Sequence, residues 1–164
     1  MTSLLTTLKS FAKPSALRQI WPYLKSMPGG GAVLGRVIGR MAPYTDTIRP
    51  EIVELDTGYA KVRMADVRRV RNHLNCVHAI ALMNLGEVST GTAMLYSLPE
   101  DARGIITNLS MEYLKKARGP ITAECRCEVP QTSERKEYEV HADLKNEAGE
   151  VVARAHAKWL VGPA

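Results

Sequence analysis

The chain contains, at residues 71–91, the segment Arg71-Asn-His-Leu-Asn-Cys-Val-His-Ala-Ile-Ala-Leu-Met-Asn-Leu-Gly-Glu-Val-Ser-Thr-Gly91. It opens with polar residues that can cap a helix. It then becomes apolar in almost every helical direction, which is typical of a helix buried on all sides. Its apolar positions are Ala79, Ile80, Ala81, Leu82, Met83, Leu85 and Val88. We therefore predict that this helix forms the core of the fold.

The polar side chains of this segment include Asn72, His78 and Glu87. A carboxylate in so apolar a helix costs free energy unless it is paired or has a function. We therefore interpret the helix as the seat of the chemistry as well as the core. Structural roles stay open: Glu87 could make a hydrogen bond near the helix end, Asn72 could cap the helix start, and His78 could hold the loop.

Length and composition indicate one globular domain, since the chain has 164 residues of which 45% are hydrophobic and 24% are charged. No apolar run is long enough to span a bilayer, and Lys9, Lys13 and Arg18 interrupt the apolar core that a secretory signal needs. Three cysteines give no disulfide framework, so we expect a cytoplasmic protein. No histidine or cysteine spacing predicts a metal site.

The positive charge is concentrated in the first third of the chain. The net charge is +5, and residues 1–50 contain seven basic residues against Asp46 alone. This excess could bind a polyanion such as a nucleotide phosphate, an anionic lipid surface or nucleic acid. A solvated helical face explains it equally simply. We expect no nucleic-acid partner, and contact of this basic region with a membrane surface is the less favoured alternative.

Two parts of the chain differ in periodicity. Residues 3–41 have three amphipathic helical stripes separated at Pro14 and at Pro28-Gly29-Gly30-Gly31. Residues 43–50 read as a loop, and residues 52–64 as two strands that meet near residues 56–58. The sequence therefore predicts an N-terminal helical extension over residues 1–48 and a second unit over residues 49–164.

The last sixty residues alternate between apolar and polar side chains, which predicts strands with one buried face. A turn at residues 146–149 joins two of these strands as a hairpin. The simplest arrangement of the predicted elements is an α+β fold, in which an antiparallel sheet wraps around one long buried helix.

This order of elements resembles the hotdog fold, and the motif resembles that of the PaaI-like acyl-CoA thioesterases. Those proteins carry an Asn, a His six residues later that begins a His-Gly-Gly, and an Asp nine residues past the His. Asn72, His78 and Glu87 fall at these spacings. Residues 111–119 and 153–159 also resemble family stretches. The resemblance covers about residues 50–162 and implies a less characterised branch with an N-terminal helical extension.

The chain departs from the family pattern at several positions. Ala79 and Ile80 replace the two glycines, and Glu87 replaces the aspartate. Asn75 stands where a glycine is often found, and asparagine tolerates left-handed backbone angles. Thr107 is the nearest counterpart of the Ser or Thr that the next strand sometimes supplies. These changes keep the polar triad but narrow the space over the helix start.

The resemblance implies hydrolysis of acyl-CoA, or of another acyl thioester, to a free acid and a thiol. Such a reaction needs a base or nucleophile and donors for the developing oxyanion. Glu87 is the candidate base or nucleophile, and the backbone N–H of Ala79 is the candidate oxyanion donor. Asn72 would orient the water or the carbonyl, and His78 would hold the loop and the substrate. The candidate substrate-binding residues are Asn75, Ile80, Thr107, Lys115, Lys116 and Arg118.

Three further expectations concern partners. His78 and Glu87 are nine residues apart, about 13 Å along a helix and half a turn out of phase, so one helix cannot bring both to one thioester. Two antiparallel copies can, which predicts a homodimer with two shared sites, possibly paired into a tetramer. Lys115, Lys116 and Arg118 could contact coenzyme A phosphates or could be a solvated charge run. No cofactor is expected beyond the coenzyme A of the substrate.

Two other functions remain open. A non-catalytic acyl-CoA-binding module is favoured by the loss of both glycines at Ala79 and Ile80. A protein that binds nucleic acid or a membrane surface would use the basic N-terminal region.

Overall fold

The structure, a computed structural model, describes residues 14–164. The first of the three predicted amphipathic stripes, at residues 4–11, lies outside the described residues. The helices are α1 (Pro14–Leu24), α2 (Gly30–Met41) and α3 (Ala79–Ser97), with 3₁₀ helices at Thr45–Ile48 and Arg68–Val70. The strands are β1 (Glu51–Asp56), β2 (Tyr59–Met64), β3 (Ala102–Tyr113), β4 (Ile121–Arg126), β5 (Lys136–Lys145) and β6 (Val151–Pro163).

The six strands form one sheet in the order β1-β2-β4-β5-β6-β3, and every pairing is antiparallel. Apolar residues that alternate with polar ones in the sequence alternate with them in burial as well. In β5, Tyr138, Val140, Ala142 and Leu144 are buried against α3, while Glu137 and Glu139 are exposed on the outer face. The predicted α+β architecture, a sheet wrapped around one buried helix, is confirmed.

Helix α3 contacts all six strands of the sheet, and most of its residues are buried. It tolerates burial because its hydroxyl groups bond to its own backbone. Ser89 and Ser97 donate to carbonyls three and four residues back, at 3.0 and 2.7 Å. Gly86 lets the helix approach the sheet, since a Cβ there would lie 2.6 Å from the Cβ of Ala155. Close packing on the sheet therefore positions α3.

Helix α3 begins at Ala79, so residues 71–77 of the quoted segment precede it. Those residues form a turn that is closed by an isolated bridge between Arg71 and Val77. Asn75 has the left-handed φ of 54° that the sequence suggested it could adopt. A left-handed residue ends helical geometry, so the first third of the segment is a loop. Residues 92–97 continue the helix.

Helices α1 and α2 pack on the main body. The indole nitrogen of Trp21 in α1 donates to the carbonyl of Leu55 at 2.9 Å. Arg18 donates to the carbonyl of Leu98 at 2.7 Å, beside the C-terminal end of α3, where a cation is favoured. The segment at residues 43–50, predicted as a loop, contains a 3₁₀ helix.

No helix between residues 14 and 164 combines the length and the apolarity that crossing a bilayer requires.

Candidate functional site

The loop before α3 is organised by Asn72. Its Oδ1 accepts hydrogen bonds from the backbone N–H of Leu74 at 2.9 Å and from the backbone N–H and thiol of Cys76 at 3.4 and 3.3 Å. This is an Asx turn rather than a helix cap. The alternative that Asn72 caps the helix start is therefore wrong. The amide nitrogen of Asn72 has no acceptor within residues 14–164.

His78 is the residue that caps α3. Its backbone is extended, with φ −66° and ψ 141°, and its Nδ1 accepts a hydrogen bond from the backbone N–H of Ile80 at 3.1 Å. An accepting Nδ1 places the imidazole proton on Nε2. The ring is exposed, so His78 presents an N–H donor to solvent just above the helix start.

The cap determines which backbone amide is left for a ligand. Because the N–H of Ile80 bonds to His78, it is not free to bind an oxyanion. The N–H of Ala79 makes no hydrogen bond within the part of the chain that the structure describes. Free N–H groups at a helix start favour negative charge. Among the described residues, the N–H of Ala79 and that of the more buried Ala81 are therefore left as available donors.

Glu87 lies two and a half turns further along α3. Its side chain is half-buried, and its carboxylate has no hydrogen bond or ion pair among the described residues. In the first three turns of α3, the sheet of the same chain leaves four positions at least partly exposed. These are Ala79, Ile80, Met83 and Glu87. Their spacing of three and four residues puts them on one stripe. This stripe is where a ligand or another chain can reach the carboxylate.

Tyr113 holds the helix start from the other side. Its hydroxyl donates to the carbonyl of Ala79 at 3.1 Å, and burial raises the pKa of the phenol. A raised pKa keeps the hydroxyl protonated and donating at neutral pH. Tyr113 lies in the stretch that resembled the family, but the sequence did not indicate this contact, since the two residues are 34 positions apart.

A cavity of about 320 Å³ opens beside the helix start. The 3₁₀ helices and the first turns of α3 form its walls, with Tyr44, Thr47, Val70, His78 and Asn84 among the lining residues. Asn84 is only 3% exposed. The sequence analysis missed this residue, because nothing in sequence shows that Tyr44 and Thr47 come to lie beside it.

The predicted substrate-binding residues fall in two places. Lys116 and Arg118 are exposed on a loop next to the helix start, where the N–H of Val77 donates to the carbonyl of Ala117 at 2.9 Å. Lys115 on the same loop pairs with Glu150 at 2.8 Å and lowers the pKa of that carboxyl.

Thr107 is separated from these residues. It lies at a bulge in β3, and its hydroxyl contacts the carboxylate of Glu137 at 3.3 Å on the outer face of the sheet. Asn72, Asn75, His78, Ala79 and Ile80, by contrast, come together at the helix start. Within the described residues, no cluster of three His, Cys, Asp or Glu side chains is placed to hold a metal ion.

Comparison with solved structures identifies the fold. A protein crystallised as a structural-genomics target is 32% identical, with a TM-score of 0.76, covering 90% of this chain and 97% of its own. A Pseudomonas aeruginosa protein of unknown function, described as a probable thioesterase, is 23% identical, with a TM-score of 0.71 and coverage of 84% and 97%. A Haemophilus influenzae thioesterase is 16% identical, with a TM-score of 0.65 and coverage of 79% and 88%.

The resemblance to the hotdog fold is therefore confirmed. Comparison with curated proteins gives no match. A family model described as a domain of unknown function matches residues 30–161, so it includes α2 as well as the sheet and α3. The chain belongs to this family, DUF4442.

Proposed function

We propose that the protein is a thioesterase that hydrolyses acyl-CoA, or a similar acyl thioester, to a free acid and a thiol. One observation carries the proposal: among residues 14–164, neither the N–H of Ala79 at the start of the buried helix nor the Glu87 carboxylate on its uncovered stripe has a partner. The names of the Pseudomonas and Haemophilus proteins with the same fold support the reaction class.

A homodimer would complete the site. Within one chain, Ala79 and Glu87 are separated by eight residues of continuous helix, about 12 Å along its axis. Strand β3 is twelve residues long and pairs with β6 alone among residues 14–164, so in this part of the chain no strand covers its other edge. Long open edges are uncommon in monomeric proteins. Antiparallel pairing of two β3 strands would continue the sheet and bring the stripe of each α3 towards the start of the other.

The chemistry then uses one group from each chain. The Glu87 carboxylate takes a proton from water while the water oxygen bonds to the thioester carbon. Alternatively it attacks that carbon directly, and water then hydrolyses the resulting anhydride to the free acid and regenerates the carboxylate. The N–H of Ala79 of the partner subunit binds the negative oxygen that develops. When the C–S bond breaks, the thiolate leaves and is protonated. A strong acid is unnecessary, because thiols ionise near pH 8.5.

Side chains around the helix start would position the substrate. The Nε2–H of His78 would donate to the thioester, and the free amide nitrogen of Asn72 would donate to the carbonyl or to the attacking water. Lys116 and Arg118 would contact the phosphates of coenzyme A from the neighbouring loop. Thr107 takes no part in this proposal, since its hydroxyl contacts residues on the outer face.

The second candidate function is an acyl-CoA-binding module without turnover. The side chain of Ile80 favours it, because that side chain is 46% exposed over the helix start, where related enzymes have glycine. A carbonyl oxygen would have less room there than in those enzymes.

A thiol-release assay separates the two. We expect turnover of at least one acyl-CoA from a panel of short, medium, long and aryl acyl groups. Glu87→Gln should lower kcat by about 10²-fold or more, since amides are not bases. Glu134→Gln, at an exposed carboxylate between β4 and β5, is the matched control and should retain turnover. Saturable binding of an acyl-CoA without thiol release would favour the binding module.

A further inference from the structure

The cavity beside the helix start has one polar group that no contact within the chain explains. Its walls include the apolar side chains of Ile48, Val70 and Ala81, and His78 stands at the start of α3. Asn84 lines the same cavity from the second turn of the helix, and it is 3% exposed. Its Oδ1 is fully buried without a hydrogen-bond partner among the described residues.

The orientation of the Asn84 amide follows from its neighbours. Its Nδ2 lies 3.1 Å from the carbonyl of Tyr44 and 3.3 Å from the hydroxyl oxygen of Thr47. That hydroxyl donates its only proton to the carbonyl of Tyr44 at 2.6 Å. Both neighbours are therefore acceptors towards Asn84, and a flipped amide would place its oxygen against them. The unpartnered atom is the oxygen.

An unpartnered buried acceptor indicates what a ligand must supply. Buried polar atoms are almost always hydrogen-bonded, so an exception points to a partner from outside the described residues, which a ligand or a water molecule can supply. Asn84 Oδ1 can only accept, which excludes a carboxylate or phosphate as its ligand group and requires an O–H or N–H. The contacts of Asn84 Nδ2 with Tyr44 and Thr47 hold the 3₁₀ helix at residues 45–48 against α3. They give no role to Oδ1.

The position of Asn84 relates the cavity to the proposed reaction. Asn84 is five residues after Ala79, about 7.5 Å along the helix axis. A chain whose thioester carbonyl binds the N–H of Ala79 would reach Asn84 with its middle or far carbons. An acetyl group would not reach it.

We propose that this cavity holds the acyl chain of the substrate and that Asn84 selects acyl groups with a hydroxyl or N–H several carbons beyond the thioester. The selection rests on the proposed thioesterase function. The group that recognises the donor is Oδ1, fixed by the contacts of Nδ2 with Tyr44 and Thr47. Sites that hydrogen-bond a substrate hydroxyl discriminate strongly against analogues without it, because the site's own polar atom is then left unpaired.

Matched pairs of acyl-CoAs test the inference. Hexanoyl-CoA is compared with 6-hydroxyhexanoyl-CoA, and octanoyl-CoA with its 6-hydroxy and 8-hydroxy derivatives, by kcat/KM for thiol release. We expect the wild-type protein to prefer the hydroxylated member of at least one pair by about tenfold or more. Asn84→Leu should abolish this preference, so that the two members of each pair have equal kcat/KM. Thr47→Val, which removes one tether of Nδ2 and leaves Oδ1 in place, should retain the preference.

The failures of the two proposals are distinguishable. Turnover with equal kcat/KM for both members of every pair would overturn the inference and would indicate that a water molecule binds Oδ1. The proposed thioesterase function would be unaffected. Without turnover, calorimetric binding of the same pairs decides: tighter binding of the hydroxylated member supports the site, and equal binding or no binding overturns it. Thermal unfolding shows whether Asn84→Leu folds, and if it does not, the wild-type and Thr47→Val ratios decide.

Discussion

His78 shapes the start of α3 with a single contact. Because its Nδ1 accepts the N–H of Ile80, the ring acts as the helix cap and leaves the N–H of Ala79 as a free donor. The structural role thus uses Nδ1, and the substrate contact that we propose for His78 would use Nε2. The two amide atoms of Asn72 also differ in role. Its Oδ1 accepts the hydrogen bonds that close the turn before α3, and its Nδ2 has no acceptor among the described residues.

The role of the Ala79 N–H can be tested with proline. Ala79 is the first helical residue, where proline is tolerated, and the extended backbone of His78 suits a residue before proline. Ala79→Pro should therefore fold but lose about 10²- to 10³-fold in kcat, because it lacks only the proposed oxyanion donor. Ala79→Gly retains the N–H and should retain activity. Full activity of Ala79→Pro, measured by thiol release, would exclude this N–H from the mechanism.

Several residue-level features could be predicted from sequence and others could not. Residue type indicated that Asn75 could adopt left-handed backbone angles. Spacing selected Asn72, His78 and Glu87 as candidate site residues, and their roles remain predictions. Asn84 was missed, because one polar residue in an apolar helix has no special meaning until its neighbours are known. Tyr44, whose carbonyl binds it, is 40 positions away.

Helix α3 was predicted as buried because its apolar residues cover every direction, and the structure confirms this. It begins at Ala79, although no proline or glycine marks the turn at residues 72–77 before it. Side-chain hydrogen bonds of Asn72 and the left-handed Asn75 form that turn instead. The strand alternation was easier to interpret, because buried positions recur at every second residue along most of β2, β4, β5 and β6.

Gly86 allows α3 to approach the sheet, and Gly86→Ala measures that constraint. Alanine improves helix propensity by about 1 kcal/mol. Its Cβ would lie 2.6 Å from the Cβ of Ala155, a methyl group fixed to the backbone of β6. Overpacking costs about 1–3 kcal/mol, so we expect a net loss of about 1 kcal/mol in the free energy of unfolding.

Urea denaturation checks this value. Gly162→Ala is the matched control, because a Cβ there meets nothing within 4 Å, and it should not lower stability. A Gly86→Ala protein as stable as the wild type would show that the helix can move away from the sheet without cost.

At the scale of the whole molecule, the N-terminal region contributes to the site. The 3₁₀ helix at residues 45–48 forms one wall of the cavity, and Asn84 of α3 binds it. The sequence separated this region as an extension ending at residue 48, and that boundary remains a prediction. The sequence could not show this wall, because it depends on contacts between residues that are far apart in the chain.

The open edge of β3 and the uncovered stripe of α3 both favour a dimer whose two sites each combine Glu87 of one chain with Ala79 of the other. Glu87→Gln and Ala79→Pro remove these two groups separately. If the variants are refolded together in equal amounts, half of the dimers contain one chain of each kind, and one of the two sites in such a dimer is intact.

Thiol release by this refolded mixture is the most direct measurement. We predict about a quarter of the wild-type activity per chain, although each variant alone is nearly inactive. Activity no greater than that of the separate variants, with mixed dimers present by native mass spectrometry, would show that the two groups do not act together across an interface.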